Sequence, residues 1–226
     1  MASKLLKKTS SGTSPIKFYK KTSTGQVQCP VYRKTASGME RLDQELVEKS
    51  YTVSGYADWT YCYVGDSSSD TSLNAKSTDA TLPRQGKYSS YYYYSPMSFK
   101  TVLAKVKGKN IKSIKIKMKC EHSYYSAGLS TYISGTNITN SSAPNNITTS
   151  VFNNKRYSSD VSFSADGTKT ITLNSTAIAD VKAGNITGFR PVASAGWSLT
   201  DYGYFSASGT SRPHIEIIYV EEVWGR

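Results

Sequence analysis

Charge is scarce in this chain, and histidine and cysteine are scarcer still. Only 19% of the 226 residues are Asp, Glu, Lys or Arg. The polar surface therefore falls to Ser, Thr, Asn and Tyr, a mix that disfavours helices and suits strands and turns. Three cysteines, Cys29, Cys62 and Cys120, are spaced like no zinc knuckle and no Cys-x-x-Cys pair. Their odd number argues against a full disulfide framework. The two histidines, His122 and His214, would need carboxylate help to hold a metal, and no local motif supplies it. No metal and no cofactor are expected. No apolar run approaches the ~20 residues of a membrane span, so no membrane insertion is expected. The first residues, Met1 to Leu6, carry lysines without the apolar core of a secretion signal. Synthesis in a cytoplasm without export by the usual route is expected.

The motifs of catalysis are missing as well. There is no Ser-His-Asp arrangement, no nucleophile elbow and no phosphate loop. Glycoside cleavage needs two carboxylates facing one sugar. The carboxylates on offer, such as Asp66, Asp70, Asp79, Asp160 and Asp201, mostly sit beside Gly or Ser in turn-like contexts. No catalytic residue is nominated, and the protein is not expected to be an enzyme.

What the chain does have is tyrosine, 18 residues of it, and a net charge of +12. It also has many short stretches of strand character. Ile16 to Tyr19 and Val27 to Tyr32 flank a Thr24-Gly25 turn, and a second turn stands at Ser37-Gly38. Residues 1–14 read as a Lys- and Ser-rich arm. Met39 to Val47 fits a strand or one short helix. Composition shifts near residue 49, where tyrosine becomes frequent, and a boundary is placed there. Beyond it, Ala57 to Gly65, Tyr88 to Phe99, Asn110 to Glu121, Lys169 to Leu173, Ile186 to Val192, Trp197 to Phe205 and His214 to Val220 read as strands. Ile114 to Lys119 alternates strictly between apolar residues and lysines, so one face is buried and the other presents charge. Asp166-Gly167 reads as a hairpin turn. Ala177 to Val181 reads as one helical turn. No internal repeat is evident. Short strands at this spacing predict an all-β, antiparallel sandwich.

Two sets of residues stand out as binding candidates. Aromatic rings stack on the apolar faces of sugars, while neighbouring polar groups bond the hydroxyls. Trp59, Tyr61 and Tyr63 would share one strand face. Alternation in Tyr91 to Tyr94 puts Tyr92 and Tyr94 together, opposite the other two. Trp197, Tyr202 and Tyr204 lie in a Gly/Ser-rich segment that would also suit an exposed loop. The sugar-stacking candidates are Trp59, Tyr61, Tyr92, Tyr94, Trp197, Tyr202 and Tyr204, although many rings must also fill a core. The second set is basic. Residues 80–120 hold ten Lys and Arg and no acidic residue, and residues 1–50 hold ten basic against four acidic. Lys112, Lys115, Lys117 and Lys119 are candidates for contact with a polyanion, a cell-wall polymer or an acidic subunit. Nucleic acid is disfavoured as the partner, because lysine dominates over arginine and no nucleic-acid motif is present.

Residues 50–222 resemble a β-jelly-roll module of the DNRLRE type, a carbohydrate-binding-like family. Four features carry the resemblance. An aromatic strand, Tyr91 to Phe99, leads into Val102-Leu103. Ile111-Lys112-Ser113-Ile114-Lys115-Ile116 stands where that family has an I-x-x-A-x-L-like phrase. Ile171 to Phe189 resembles its strand, short turn and closing Asn185-Ile186-Thr187-Gly188-Phe189. Arg212-Pro213-His214-Ile215-Glu216-Ile217 resembles its final R-P-x-L-x-V-x-Y strand, ending here at Tyr219. The phrases Lys17-Phe18-Tyr19 and Val31-Tyr32-Arg33-Lys34 are similar to N-terminal segments of tail and virion proteins from phages of Gram-positive bacteria. The resemblance implies a jelly-roll β-sandwich over residues 49–226 and an N-terminal arm with a β-hairpin, residues 1–48, that attaches to a particle. It implies a structural component of a bacteriophage or phage-tail-like particle: a fibre, a decoration or a host-surface adhesin. Its partners would be other virion proteins and a host-surface glycan or cell-wall polymer. It would sit in the virion after assembly in the host cytoplasm, and a homo-oligomer is expected. The alternative is a free carbohydrate-binding module outside any particle.

Overall fold

The computed structural model describes residues 6–9, 12–15, 18–22, 25–36, 38–41, 46–76, 78–123, 129–196 and 201–224. Among them the chain is mostly β, its strand pairs are antiparallel, and its helices are few and short. It divides into two units, residues 1–49 with 221–226, and residues 50–220.

In the first unit the strands come as ribbons. β1 (Leu6–Thr9) pairs with β2 (Gly12–Pro15), β3 (Phe18–Thr22) with β4 (Gly25–Cys29), and β5 (Tyr32–Thr35) with β6 (Gly38–Arg41). In each ribbon a Thr pairs with a Gly across a two-residue connection: Thr9 with Gly12, Thr22 with Gly25, Thr35 with Gly38. The turn signals at Thr24-Gly25 and Ser37-Gly38 thus mark two of three hairpins. The three share one register, stepped by 13 residues: Leu6 faces Pro15, Tyr19 faces Gln28, Tyr32 faces Arg41. An internal repeat therefore exists where the sequence reading found none. It is hard to see because only Lys8/Lys21/Lys34, Thr9/Thr22/Thr35 and Gly12/Gly25/Gly38 are identical in all three copies.

The remaining elements follow in chain order. They are β7 (Leu46–Tyr56), β8 (Trp59–Thr60), β9 (Tyr63–Gly65), β10 (Ser72–Ala75), β11 (Arg84–Gln85), β12 (Lys87–Tyr88), β13 (Tyr91–Tyr94), β14 (Met97–Ser98), α1 (Lys100–Ala104), β15 (Asn110–Ser123), β16 (Leu129–Thr136), β17 (Asn146–Thr148), β18 (Val161–Phe163), β19 (Thr168–Thr172), α2 (Ser175–Ala183), β20 (Gly188–Ala193), β21 (Gly203–Phe205) and β22 (His214–Trp224). They form three sheets. The first runs β11-β21-β15-β22-β7, with β19 also on β15; the second runs β18-β16-β20-β14-β8; the third runs β12-β13-β9-β10-β17.

The first two sheets supply one core. Ile114, Ile116 and Met118 on β15 and Ile215 and Ile217 on β22 belong to the same buried cluster as Ile133, Phe189, Met97 and Phe163 of the second sheet. Strict alternation along β15 is the cause: its apolar face turns inward as one set. Each such side chain contributes about 1.5–3 kcal/mol on burial. α1 adds Val102 and Leu103, and α2 adds Ala177 and Val181. α2 is longer than the single turn expected, because both ends are capped. The Asn174 side chain accepts from the Ala177 N–H at 3.1 Å, and Gly184 closes the helix at a φ of 76°.

Asp166-Gly167 does not join a hairpin. β18 pairs with β16 and β19 with β15, so this turn carries the chain from one sheet to another. The positive φ, 58°, falls on Asp166. Close packing between strands has its own consequence at Gly188, which faces Ser98 on β14 and Thr136 on β16. A Cβ there would lie 2.3 Å from the Met97 carbonyl oxygen and 3.0 Å from the Thr136 Oγ1. Gly188→Ala is expected to destabilise the protein by about 1–3 kcal/mol. The check is a lower urea midpoint at an unchanged m-value.

Candidate functional site

The aromatic candidates do not share one environment. Trp59 lies on β8 and Tyr63 on β9, strands of different sheets, so the run from residue 59 to 63 is not one continuous strand face. Trp59 and Tyr61 are half-buried against a second cluster that contains the fully buried Tyr63 with Leu73, Tyr94 and Phe152. The Tyr63 hydroxyl donates to the Pro144 carbonyl at 2.7 Å. The Trp59 Nε1 is buried with no hydrogen-bond partner. Along β13 the alternation holds: Tyr92 and Tyr94 pack on this cluster, and Tyr93 packs with Cys62 and Tyr202 on another.

Tyr202 is buried, not looped out. Its hydroxyl accepts from the Arg84 Nη1 at 3.1 Å, and its ring stacks on Tyr88 at 5.0 Å. Tyr204 lies half-buried on β21, stacked on His122 at 5.0 Å, with the Arg84 guanidinium 5.3 Å from its ring centre. Pairing of β21 with β11 and β15 draws both rings toward the sheet. Trp197 lies outside the described residues.

Lys112, Lys115, Lys117 and Lys119 all lie on β15, a central strand and not an edge. Lys112 and Lys117 are exposed, and Lys115 and Lys119 half-buried. Lys112 sits at a register shift between Ile111 and Ser113. Lys115 faces Glu216 across the β15–β22 ladder, and Lys119 lies 3.9 Å from Asp166. The row is thus partly answered by carboxylates of its own chain. The buried thiols of Cys62 and Cys120 are both pushed up to about 11 by burial, so neither is a ready nucleophile. Among the described residues no three His, Cys, Asp or Glu side chains gather as metal ligands.

One predicted ring, Tyr94, lines a cleft of about 480 Å³ whose other walls come from distant parts of the chain. β13 brings Tyr94, β16 brings Tyr132, and β20 brings Arg190 and Val192. The turn Thr149–Val151 brings Thr149 and Ser150 and leads into Phe152 and Asn154. The loop after β9 brings Ser68, Ser69 and Asp70. That loop is shaped by Asp70, whose Oδ2 accepts from the N–H groups of Asp66 at 2.6 Å and Ser67 at 3.0 Å. Gly65 leaves the space for it, since a Cβ there would lie 2.7 Å from the same oxygen.

Arg190 is the unusual group in this cleft. It is only 6% exposed, on a strand whose neighbours are apolar. Its guanidinium lies 4.4 Å from the Phe152 ring centre and 5.7 Å from that of Tyr94, and those two rings stack at 5.7 Å and 14°. Cation–π attraction strengthens where water is excluded. Nη2 donates to the Asn154 Oδ1 at 3.1 Å, but Nε is buried with no partner. Burial pulls this group down to about 10, opposed by Tyr132 and Tyr94, so it stays cationic at neutral pH. A buried donor without an acceptor is costly unless a ligand or water completes it. A cation beside aromatic faces, with an amide, hydroxyls and a carboxylate nearby, suits a polyol or sugar bearing an anionic group.

Arg190, Asn154, Phe152 and Tyr132 are the residues that sequence reasoning missed, and Asp70 was weighed there only as a catalytic carboxylate. One signal was available: an arginine inside the apolar stretch Ile186 to Val192 has to be buried with a partner or aimed at one. No family model matches the chain, and no curated protein matches it in sequence.

Proposed function

We propose that the chain is a structural component of a bacteriophage or phage-tail-like particle, a fibre, decoration or host-surface adhesin. Residues 1–48 attach it to other particle proteins. The sandwich, read as a jelly roll of the DNRLRE-like kind, faces outward and holds a glycan or cell-wall polymer. It works as a homo-oligomer in the virion. The observation that carries the adhesive part is the cleft around Arg190, where aromatic faces meet a buried cation whose Nε has no acceptor of its own chain. The attachment part is supported by the run of basic hairpins ahead of the sandwich.

Two measurements test this reading. Mass spectrometry on gradient-purified particles from the source culture is expected to find the protein at a defined stoichiometry. Recovery only as a free protein would favour the free carbohydrate-binding module. Binding to purified host cell walls is expected for the full chain. Arg190→Met keeps an apolar stem but removes the cation, and Tyr132→Ser removes one wall. Each is expected to weaken wall binding at least ~10-fold, or about 1.4 kcal/mol, with an unchanged far-UV circular dichroism spectrum. Wall binding unaltered in both folded variants would remove the cleft from this role.

A further inference from the structure

We propose that the strands between Leu6 and Arg41 are three copies of one docking module, which together grip an acidic protein surface that presents the same site repeatedly. The inference rests on the particle reading and names what the attachment segment holds. Three observations carry it.

The first is the repeat. The stretches Leu6-Lys7-Lys8-Thr9, Tyr19-Lys20-Lys21-Thr22 and Tyr32-Arg33-Lys34-Thr35 recur every 13 residues, each followed three residues later by a Gly. The pairing register repeats with the sequence. Three copies of one ribbon are three copies of one binding surface, and they fit a partner that is itself repeated. The second is charge. Residues 1–39 hold eight Lys and Arg and no Asp or Glu, and the first acidic residue, Glu40, faces Arg33 across the third ribbon. Each ribbon carries a basic pair on its first strand, which repels a second copy of itself and attracts an acidic surface. The third is topology. Each ribbon is a two-stranded sheet, and no third strand joins any of them among the described residues. A lone two-stranded hairpin is marginal in water and gains most from a further strand or a packed face. Strand addition is a recurrent way for one protein to bind another. Only a polypeptide supplies such a strand, which favours an acidic protein over a nucleic acid. Just one of the eight basic residues, Arg33, is an arginine, which points the same way.

Linked modules bind as a multivalent unit, so their contributions multiply. The test uses the full chain in particles purified from cells expressing wild type or a variant. One variant lacks residues 19–31, a whole period that leaves Phe18 ahead of Tyr32 in phase. A second lacks residues 6–31, two periods. A third lacks residues 19–25, which breaks the phase. Point variants Lys8→Glu, Lys21→Glu and Lys34→Glu change one copy each. Copies per particle and the salt concentration that releases half of them are read together, and circular dichroism confirms that the sandwich is folded. Retention is expected to fall in two steps, at least ~10-fold for each period lost. The half-release salt should fall with each, and the three point variants should weaken retention equally. The out-of-phase deletion should cost more than the longer in-phase one. A one-period deletion that changes nothing, or that abolishes retention as fully as the two-period deletion, overturns the proposal. So does release by nuclease, which would make the partner a nucleic acid. If wild type itself is missing from particles, the particle reading fails, a result visible before any variant is compared.

Discussion

Asp180→Ala is expected to cost about 3 kcal/mol of folding stability, the loss of several charge-assisted hydrogen bonds at one buried carboxylate. The residue lies late in α2 and is only 5% exposed. A helix end of that polarity disfavours a carboxylate, so the group persists there through its partners. Lys155 Nζ donates at 2.7 Å, Tyr157 Oη at 2.6 Å and Asn185 Nδ2 at 3.0 Å. Truncation strands one of these donors, the hydroxyl of the buried Tyr157, while the exposed Asn185 can turn its amide to water. Lys155 is half-exposed and can turn to water, which keeps the cost below that of a fully enclosed ion pair.

The pH dependence follows from the same contacts. Burial alone would raise the Asp180 carboxyl, but the hydrogen bonds from Lys155, Tyr157 and Asn185 prevail and hold it below its ordinary value. A carboxyl lowered by folding stabilises the fold above the unfolded value of about 4. That stabilisation disappears as pH falls through the lower folded value. The difference between wild type and Asp180→Asn, measured by urea unfolding from neutral pH downward, should therefore shrink on acidification. A difference that stays constant to the acid limit would mean that charge at Asp180 contributes nothing. Lys155→Met should raise the folded carboxyl toward its unfolded value, because burial is then less opposed, so the acid loss should be smaller and complete at a higher pH.

How much of this was visible beforehand depended on whether the signal was local. β15 was legible because one buried face forces a period of two over six consecutive residues. The opposite fates of Tyr93 and Tyr94 followed from the same rule. α2 was seen only at its centre; its caps, Asn174 and Gly184, lay outside the apolar pattern that marked it. Tyr202 was misplaced because its Gly and Ser neighbours mimic a loop, whereas pairing of the adjacent β21 with two strands pulls the ring inward. The cleft had no local signature. Its walls come from residues 68–70, 94, 132, 149–154 and 190–192, brought together only by sheet order. The hairpin repeat hid for a different reason. A ribbon needs specific residues mainly at its turn, so the copies drifted elsewhere while the register stayed the same.

Phe189→Ala should be the most damaging single truncation in the core, about 3–5 kcal/mol, because the hole it leaves cannot collapse. Phe189 is fully buried on β20, and its strand is pinned on both sides, by Met97 on β14 and Gly135 on β16. Its ring meets Phe99 at 6.0 Å and the edge of Tyr157 at 6.1 Å. Tyr157 therefore joins two systems: its ring belongs to the apolar core and its hydroxyl to the Asp180 network. Loss of Phe189 loosens the ring that aims this hydroxyl, and loss of Asp180 loosens the ring that packs on Phe189. The two substitutions should then be coupled, the double variant falling short of the sum by about 0.5–3 kcal/mol. Tyr157→Phe keeps the ring and removes only the hydroxyl, so in that background the coupling should vanish. Strict additivity in the wild-type background would show that core and polar network are held independently, and that Tyr157 is a spacer between them.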